Sequence, residues 1–157
     1  MSNYKTVFFI LGILQMILGI FMFIPIITQF IYKEVDSSFF GASIITIIFG
    51  ILFFLSNLDH EKKLNLRQAF LLTALSWISV AIFGSLPFIF SNLGFSVTNA
   101  FFESMSGITT TGSTIIPNLE SMPKGILLWR ALLQWLGGIG TVSYTHLRAH
   151  ETNDDLV

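Results

Sequence analysis

Three long stretches without a charged residue dominate the hydrophobic pattern. Thr6 to Tyr32 runs 27 residues between Lys5 and Lys33, and Ser37 to Leu58 runs 22. Gln68 to Phe90 is likewise uncharged. A helix needs roughly 20 apolar residues to cross a bilayer, so each stretch predicts a membrane span. A signal peptide would have a shorter apolar core and a small-residue cleavage site; the first stretch has neither and reads as a retained helix. Pro25, in its last third, predicts a kink. The polar turn Lys33-Glu34-Val35-Asp36 folds the first two spans into a hairpin. Asp59 to Arg67 is a charged membrane-surface loop.

After Phe90 the pattern changes. Ser91 to Phe102 is uncharged but gains Asn92, Gly94, Ser96, Thr98 and Asn99. Asn99 to Gly107 predicts a short helix carrying Glu103, and Ile108 to Thr114 is rich in Thr and Gly. Pro117 to Pro123 forms a polar exit, and Gly125 to Thr141 predicts a further apolar helix. The stretch from Ser91 to Lys124 is too long for a turn and too apolar for a solvated loop. It reads as a re-entrant segment, because irregular backbone survives at membrane depth only when buried in protein or lining water.

Composition sharpens this picture. The chain is 53% hydrophobic and 11% charged, against about 25% charged in soluble domains. A soluble globule of this length lacks the volume to hide so much apolar surface. The net charge of −1 provides no basic field for nucleic acid. With no cysteine, thiolate zinc sites and catalytic thiols are excluded. Lys5, Lys62, Lys63 and Arg67 fall on one face, against Lys33, Lys124 and Arg130 on the other. That excess places the N-terminus in the cytoplasm and Ser91 to Lys124 outside.

The candidate chemistry lies in Thr109-Thr110-Thr111-Gly112-Ser113. A dehydrated cation needs oxygen ligands around it, and potassium filters supply stacked backbone carbonyls. Gly112 permits a positive φ cheaply, and threonine adds a hydroxyl. The preceding helix turns its partially negative C-terminal end toward the ion path. Glu103 is either an ion-attracting carboxylate or, more commonly for such a position, a hydrogen-bonding support for the filter backbone. Arg130 is either paired inside the membrane or snorkelled to the outer surface. Gly137, Gly138 and Gly140 read as close helix packing or a bend. Trp129 is the best of the tryptophans for an interfacial anchor. His146 and His150 have i, i+4 spacing without the rest of a zinc signature.

Two blocks carry a resemblance. Phe102-Glu103-Ser104-Met105-Ser106-Gly107-Ile108-Thr109-Thr110-Thr111-Gly112-Ser113-Thr114 resembles the first filter segment of the Trk/Ktr/HKT potassium transporters. Leu128-Trp129-Arg130-Ala131-Leu132-Leu133-Gln134-Trp135-Leu136-Gly137-Gly138-Ile139-Gly140 resembles the helix that follows it. The N-terminal hairpin is similar to that of the TrkH branch. The resemblance implies an all-α integral membrane fold: a transmembrane hairpin over 1–58, a cytoplasmic loop over 59–67, and one helix–pore loop–helix repeat over 68–141. Four such repeats would enclose one ion path with pseudo-fourfold symmetry. Filter ligands would be the carbonyls of Thr110, Thr111, Gly112 and Ser113, with Thr109 flanking and Glu103 supporting. The family implies potassium uptake across the bacterial inner membrane, a peripheral nucleotide-binding gating subunit and a homodimer of the full-length subunit. It implies no cofactor beyond the transported K+ and no enzyme activity.

Residues 142–157 turn abruptly polar and resemble nothing in the family. They read as a non-family tail on a truncated chain, inactive by itself because one repeat supplies only part of a filter ring. The alternative to a transport subunit is a nonconducting membrane anchor, indifferent to changes in the Thr-Gly segment. An intramembrane enzyme would need converging catalytic groups, and Asp59, His60 and Glu61 at a membrane edge have no visible partner set.

Overall fold

The computed structural model describes residues 4–34, 36–59 and 64–154, and from 141 onward the backbone alone. The described residues form α-helices and one short 3-10 helix, with no strand among them. Helices α1 (Lys5–Phe21) and α2 (Phe23–Tyr32) make a single 28-residue span interrupted at Met22. Pro25 explains the interruption: it has no N–H to offer the Phe21 carbonyl, so the ladder opens one turn earlier.

Helix α3 (Ser38–Ser56) returns antiparallel to α1. The crossing is set by glycine. A Cβ on Gly12 would lie 2.6 Å from the Phe54 nitrogen, and one on Gly50 would lie 2.8 Å from the Met16 nitrogen. Lipid tails are as apolar as leucine, so close backbone packing supplies the attraction that water would otherwise provide. Ser43 Oγ adds a hydrogen bond to the Gly19 carbonyl at 3.0 Å. At the far ends of this hairpin, Lys5 and Asp59 lie 4.0 Å apart, so both termini share one face. Of the loop expected over 59–67, residues 60–63 with Lys62 and Lys63 lie outside the described residues.

Helix α4 (Leu66–Phe90) starts where the Asn65 N–H donates to Gln68 Oε1 at 2.8 Å. The fully buried Gln15 of α1 donates to Ser79 Oγ of α4 at 2.6 Å. This bond ties the hairpin to the remainder of the chain. Three helical stretches, Lys5–Tyr32, Ser38–Ser56 and Leu66–Phe90, are long and apolar enough to cross a membrane.

Helix α5 (Val97–Ile108) is different. Its 12 residues extend about 18 Å at 1.5 Å per residue, well short of a bilayer core of roughly 30 Å. Ser96 begins it by accepting the Asn99 N–H at 3.2 Å. The chain then runs through an irregular segment and the 3-10 helix Leu119–Ser121 into α6 (Lys124–Asp154). A long helix, a half-length helix, a loop and a second long helix thus follow one another, as the hydrophobic pattern predicts. The backbone of α6 stays helical to Asp154, beyond the expected end near Thr141. The side chains of that stretch, including His146 and His150, lie outside the description.

Trp129 corrects one expectation. It is fully buried rather than anchored at an interface. Its Nε1 donates to the Gly84 carbonyl of α4 at 2.9 Å, and its ring meets Phe39 of α3 edge-on at 6.0 Å. One side chain therefore joins α3, α4 and α6. Trp129→Phe preserves most of the ring but leaves that carbonyl without its donor, an expected loss of about 1 to 2 kcal/mol. Thermal melting in detergent checks this; an unchanged midpoint would show that the indole bond is dispensable.

Candidate functional site

The candidate site begins where α5 ends. A helix C-terminus leaves its last carbonyls without partners. Here the following segment supplies donors: Thr110 N–H bonds to the Gly107 carbonyl at 2.9 Å and Thr111 N–H to the Ser106 carbonyl at 3.1 Å. This paired pattern is a Schellman cap, which places its turning residue in the left-handed region. That residue is usually glycine, yet here it is Thr110, at φ 58°. A non-glycine residue there costs about 1 to 2 kcal/mol, and such strain gathers at functional positions. Gly112 repeats the left-handed turn at φ 74°, and its N–H reaches the Ser106 carbonyl at 3.2 Å.

The consequence is a separation of donors from acceptors. The N–H groups of Thr109, Thr110, Thr111 and Gly112 all turn back onto α5. Among the described residues, no donor meets the carbonyls of these four, and all four residues are exposed. Thr109 Oγ1 bonds to the Met105 carbonyl at 2.8 Å and approaches Thr111 Oγ1 at 2.9 Å. The site is a short run of unpaired carbonyl oxygens flanked by threonine hydroxyls.

Ser113 departs from this pattern. Its carbonyl accepts from Ser106 Oγ at 2.6 Å, and Arg130 Nη2 lies at 3.5 Å. Of the four residues expected to offer carbonyls, it is the one whose oxygen is already held by protein donors.

Behind the segment lies a buried charge pair. Glu103 is fully buried and Arg130 is 6% exposed. Arg130 Nε sits 2.7 Å from Glu103 Oε2, a charge contact whose N–H is not aligned for a hydrogen bond. Oε1 of Glu103 accepts from Thr114 Oγ1 and from the Ile115 N–H, both at 2.7 Å. Glu103 therefore holds the irregular chain leaving the segment, and Arg130 is paired rather than snorkelled. Two unpaired charges at this depth would be prohibitive, so each ion fixes the other.

Sequence reasoning identified Glu103 and the Thr-Gly run, but passed over Ser106 as a support. Its signal was its spacing: 103 and 106 fall three apart, on one face of α5. Among the described residues, no group of three His, Asp or Glu side chains could hold a metal ion.

A half-length helix that hands its C-terminus to a run of outward carbonyls, set between two long helices, defines a pore-loop membrane protein. Residues 35–153 match the family model TrkH, described as a cation transport protein. The chain belongs to this family. It is 42% identical over 134 residues to the Trk system potassium uptake protein TrkI of Halomonas elongata, covering 85% of this chain and 27% of that protein. It is 36% identical over 142 residues to the Trk system potassium uptake protein TrkH of Vibrio parahaemolyticus, covering 89% and 29%. The crystal structure of the potassium transporter TrkH from Vibrio parahaemolyticus superposes with a TM-score of 0.85 at 35% identity, covering 88% of this chain and 30% of that one. The chain thus spans less than a third of the length of these relatives.

Proposed function

We propose that this chain is the N-terminal hairpin and first pore-loop repeat of the pore-forming subunit of a Trk-type potassium uptake system. One observation carries the reading: the N–H groups of residues 109–112 turn onto α5 while, among the described residues, their carbonyls meet no donor. A carbonyl left unpaired at membrane depth costs free energy, which a cation stripped of water would recover. The carbonyls of Thr110, Thr111 and Gly112 are the proposed K+ ligands, with Thr109 flanking them. Ser113 closes the segment, clamped by Ser106 and Arg130. Glu103 and Arg130 act as supports from behind and touch no ion.

One repeat supplies one side of such a site, and the exposure of residues 109–115 is what a missing set of facing repeats would leave. Transport therefore belongs to an assembly larger than these residues. The chain's similarity to Trk system potassium uptake proteins supports potassium as the cargo. The same reading places the protein in the bacterial inner membrane with its N-terminus in the cytoplasm. It also implies a peripheral nucleotide-binding gating subunit and a homodimer of the full-length subunit.

The test is a chimera in which residues 5–140 replace the matching part of the Vibrio parahaemolyticus TrkH, expressed in cells without their own potassium uptake. The chimera should restore growth on low potassium, and Gly112→Ala should impair it. An added methyl at Gly112 meets only Gln134 Nε2 at 3.6 Å, so the φ of 74° is the obstacle rather than space. Forcing alanine into that region costs about 1 to 2 kcal/mol, so uptake should fall about tenfold. Equal growth with and without Gly112 would favour the membrane-anchor reading.

A further inference from the structure

The outer end of α6 lacks a cap of its own. Pro123 stands at the capping position, where its carbonyl accepts the Leu127 N–H at 3.1 Å, and its side chain has nothing to offer the first free N–H groups. The acceptor comes instead from the other end of the sequence. Glu34, in the turn between α2 and α3, takes the Lys124 N–H on Oε1 at 2.5 Å and the Gly125 N–H on Oε2 at 3.1 Å. Both carboxylate oxygens are used, at the helix end whose dipole favours negative charge.

Glu34 is delivered there by local structure. Helix α2 ends with Lys33 in the left-handed region at φ 55°. The Lys33 N–H bonds to the Phe30 carbonyl at 3.3 Å and the Glu34 N–H to the Gln29 carbonyl at 2.9 Å. This second Schellman cap turns the chain so that Glu34 meets α6. Next to it, the buried Gln29 packs so closely on α6 that a Cβ at Gly125 would lie 2.7 Å from Gln29 Cγ. Five residues beyond Gly125, Arg130 pairs with Glu103 and approaches the Ser113 carbonyl.

We infer that Glu34 is a positioning residue for the filter: it fixes the outer end of α6 and, through Arg130, the conformation of the chain at Ser113. The N-terminal hairpin is then a brace for ion selection as well as a membrane insert. This role rests on the filter reading above.

The experiment compares the TrkH chimera with its Glu34→Ala, Glu34→Gln, Phe30→Ala and Gly112→Ala variants in proteoliposomes, each at equal folded protein, by the ratio of K+ to Na+ flux. Phe30 is on the same helix and 86% exposed, and serves as the control. Glu34→Ala should lower the ratio about three- to fivefold, the scale of one charge at a helix end. Glu34→Gln keeps one acceptor oxygen and should recover most of it, while Phe30→Ala should leave it unchanged. Amide exchange at Lys124 and Gly125 in the intact chain should quicken in Glu34→Ala. A Glu34→Ala ratio equal to wild type, with Gly112→Ala altered, overturns the brace and leaves the filter standing. If Gly112→Ala is also unaltered, the filter reading fails and the brace falls with it. A Phe30→Ala ratio as low as that of Glu34→Ala would make the effect nonspecific and likewise reject the inference.

Discussion

Alanine at Gly137 is expected to break the contact between α5 and α6. A Cβ there would lie 1.8 Å from the Ile108 carbonyl oxygen and 2.8 Å from its carbon. These are backbone atoms at the end of the pore helix and cannot rotate aside, so the two helices must separate. Overpacking a tight site costs about 1 to 3 kcal/mol, and this variant should reach the top of that range. The neighbouring glycines provide the control. Among the described residues, a Cβ at Gly138 or at Gly140 meets nothing within 4 Å. Alanine at either should be neutral or stabilising by up to about 1 kcal/mol, because it favours helix over glycine. Melting midpoints of the three variants in one detergent decide the matter. A Gly137→Ala midpoint equal to that of Gly138→Ala would mean the crossing is looser than these distances require.

The second large effect concerns the buried pair. Glu103→Gln retains an oxygen for Thr114 Oγ1 and the Ile115 N–H but leaves the Arg130 guanidinium buried without its counter-ion. Removing one partner of a buried pair costs about 3 to 5 kcal/mol. Joining it with Arg130→Gln removes the stranded charge, so the double variant should be more stable than Glu103→Gln alone. A double-mutant cycle of melting free energies reads this coupling directly. Strictly additive losses would show that the 2.7 Å contact contributes nothing beyond its separate hydrogen bonds.

The spans were legible because an uncharged run of more than 20 residues has few other uses in a chain of this kind. The pore helix was legible because its apolar pattern is too short to cross and ends in threonine and glycine. Glu103 was legible as a support, since a carboxylate on a half-helix in lipid must find donors nearby. Arg130 was ambiguous. Position alone allowed pairing or snorkelling, and the choice depended on the rotation of α6 about its axis. That rotation also separates Gly137, which touches Ile108, from Gly138 and Gly140, where an added Cβ would meet none of the described residues. It buries Trp129 as well, which composition had suggested for an interface. Ser113 could not be distinguished from its neighbours, because which carbonyl Ser106 captures depends on a chain reversal seven residues long. Glu34 was hidden most completely. Its partners lie 90 and 91 residues away, and a cap between distant elements leaves no spacing to read.

In the proposed pore, the carbonyls of Thr110, Thr111 and Gly112 pass potassium. The most direct test is the flux of labelled potassium into proteoliposomes holding the TrkH chimera, measured with the native segment and with Gly112→Ala, in the presence and absence of competing sodium. A filter built from these carbonyls should give flux through the native segment, resistance to sodium, and a fall of about tenfold on forcing alanine into the left-handed turn. Flux and sodium resistance that are the same in both proteins would contradict it.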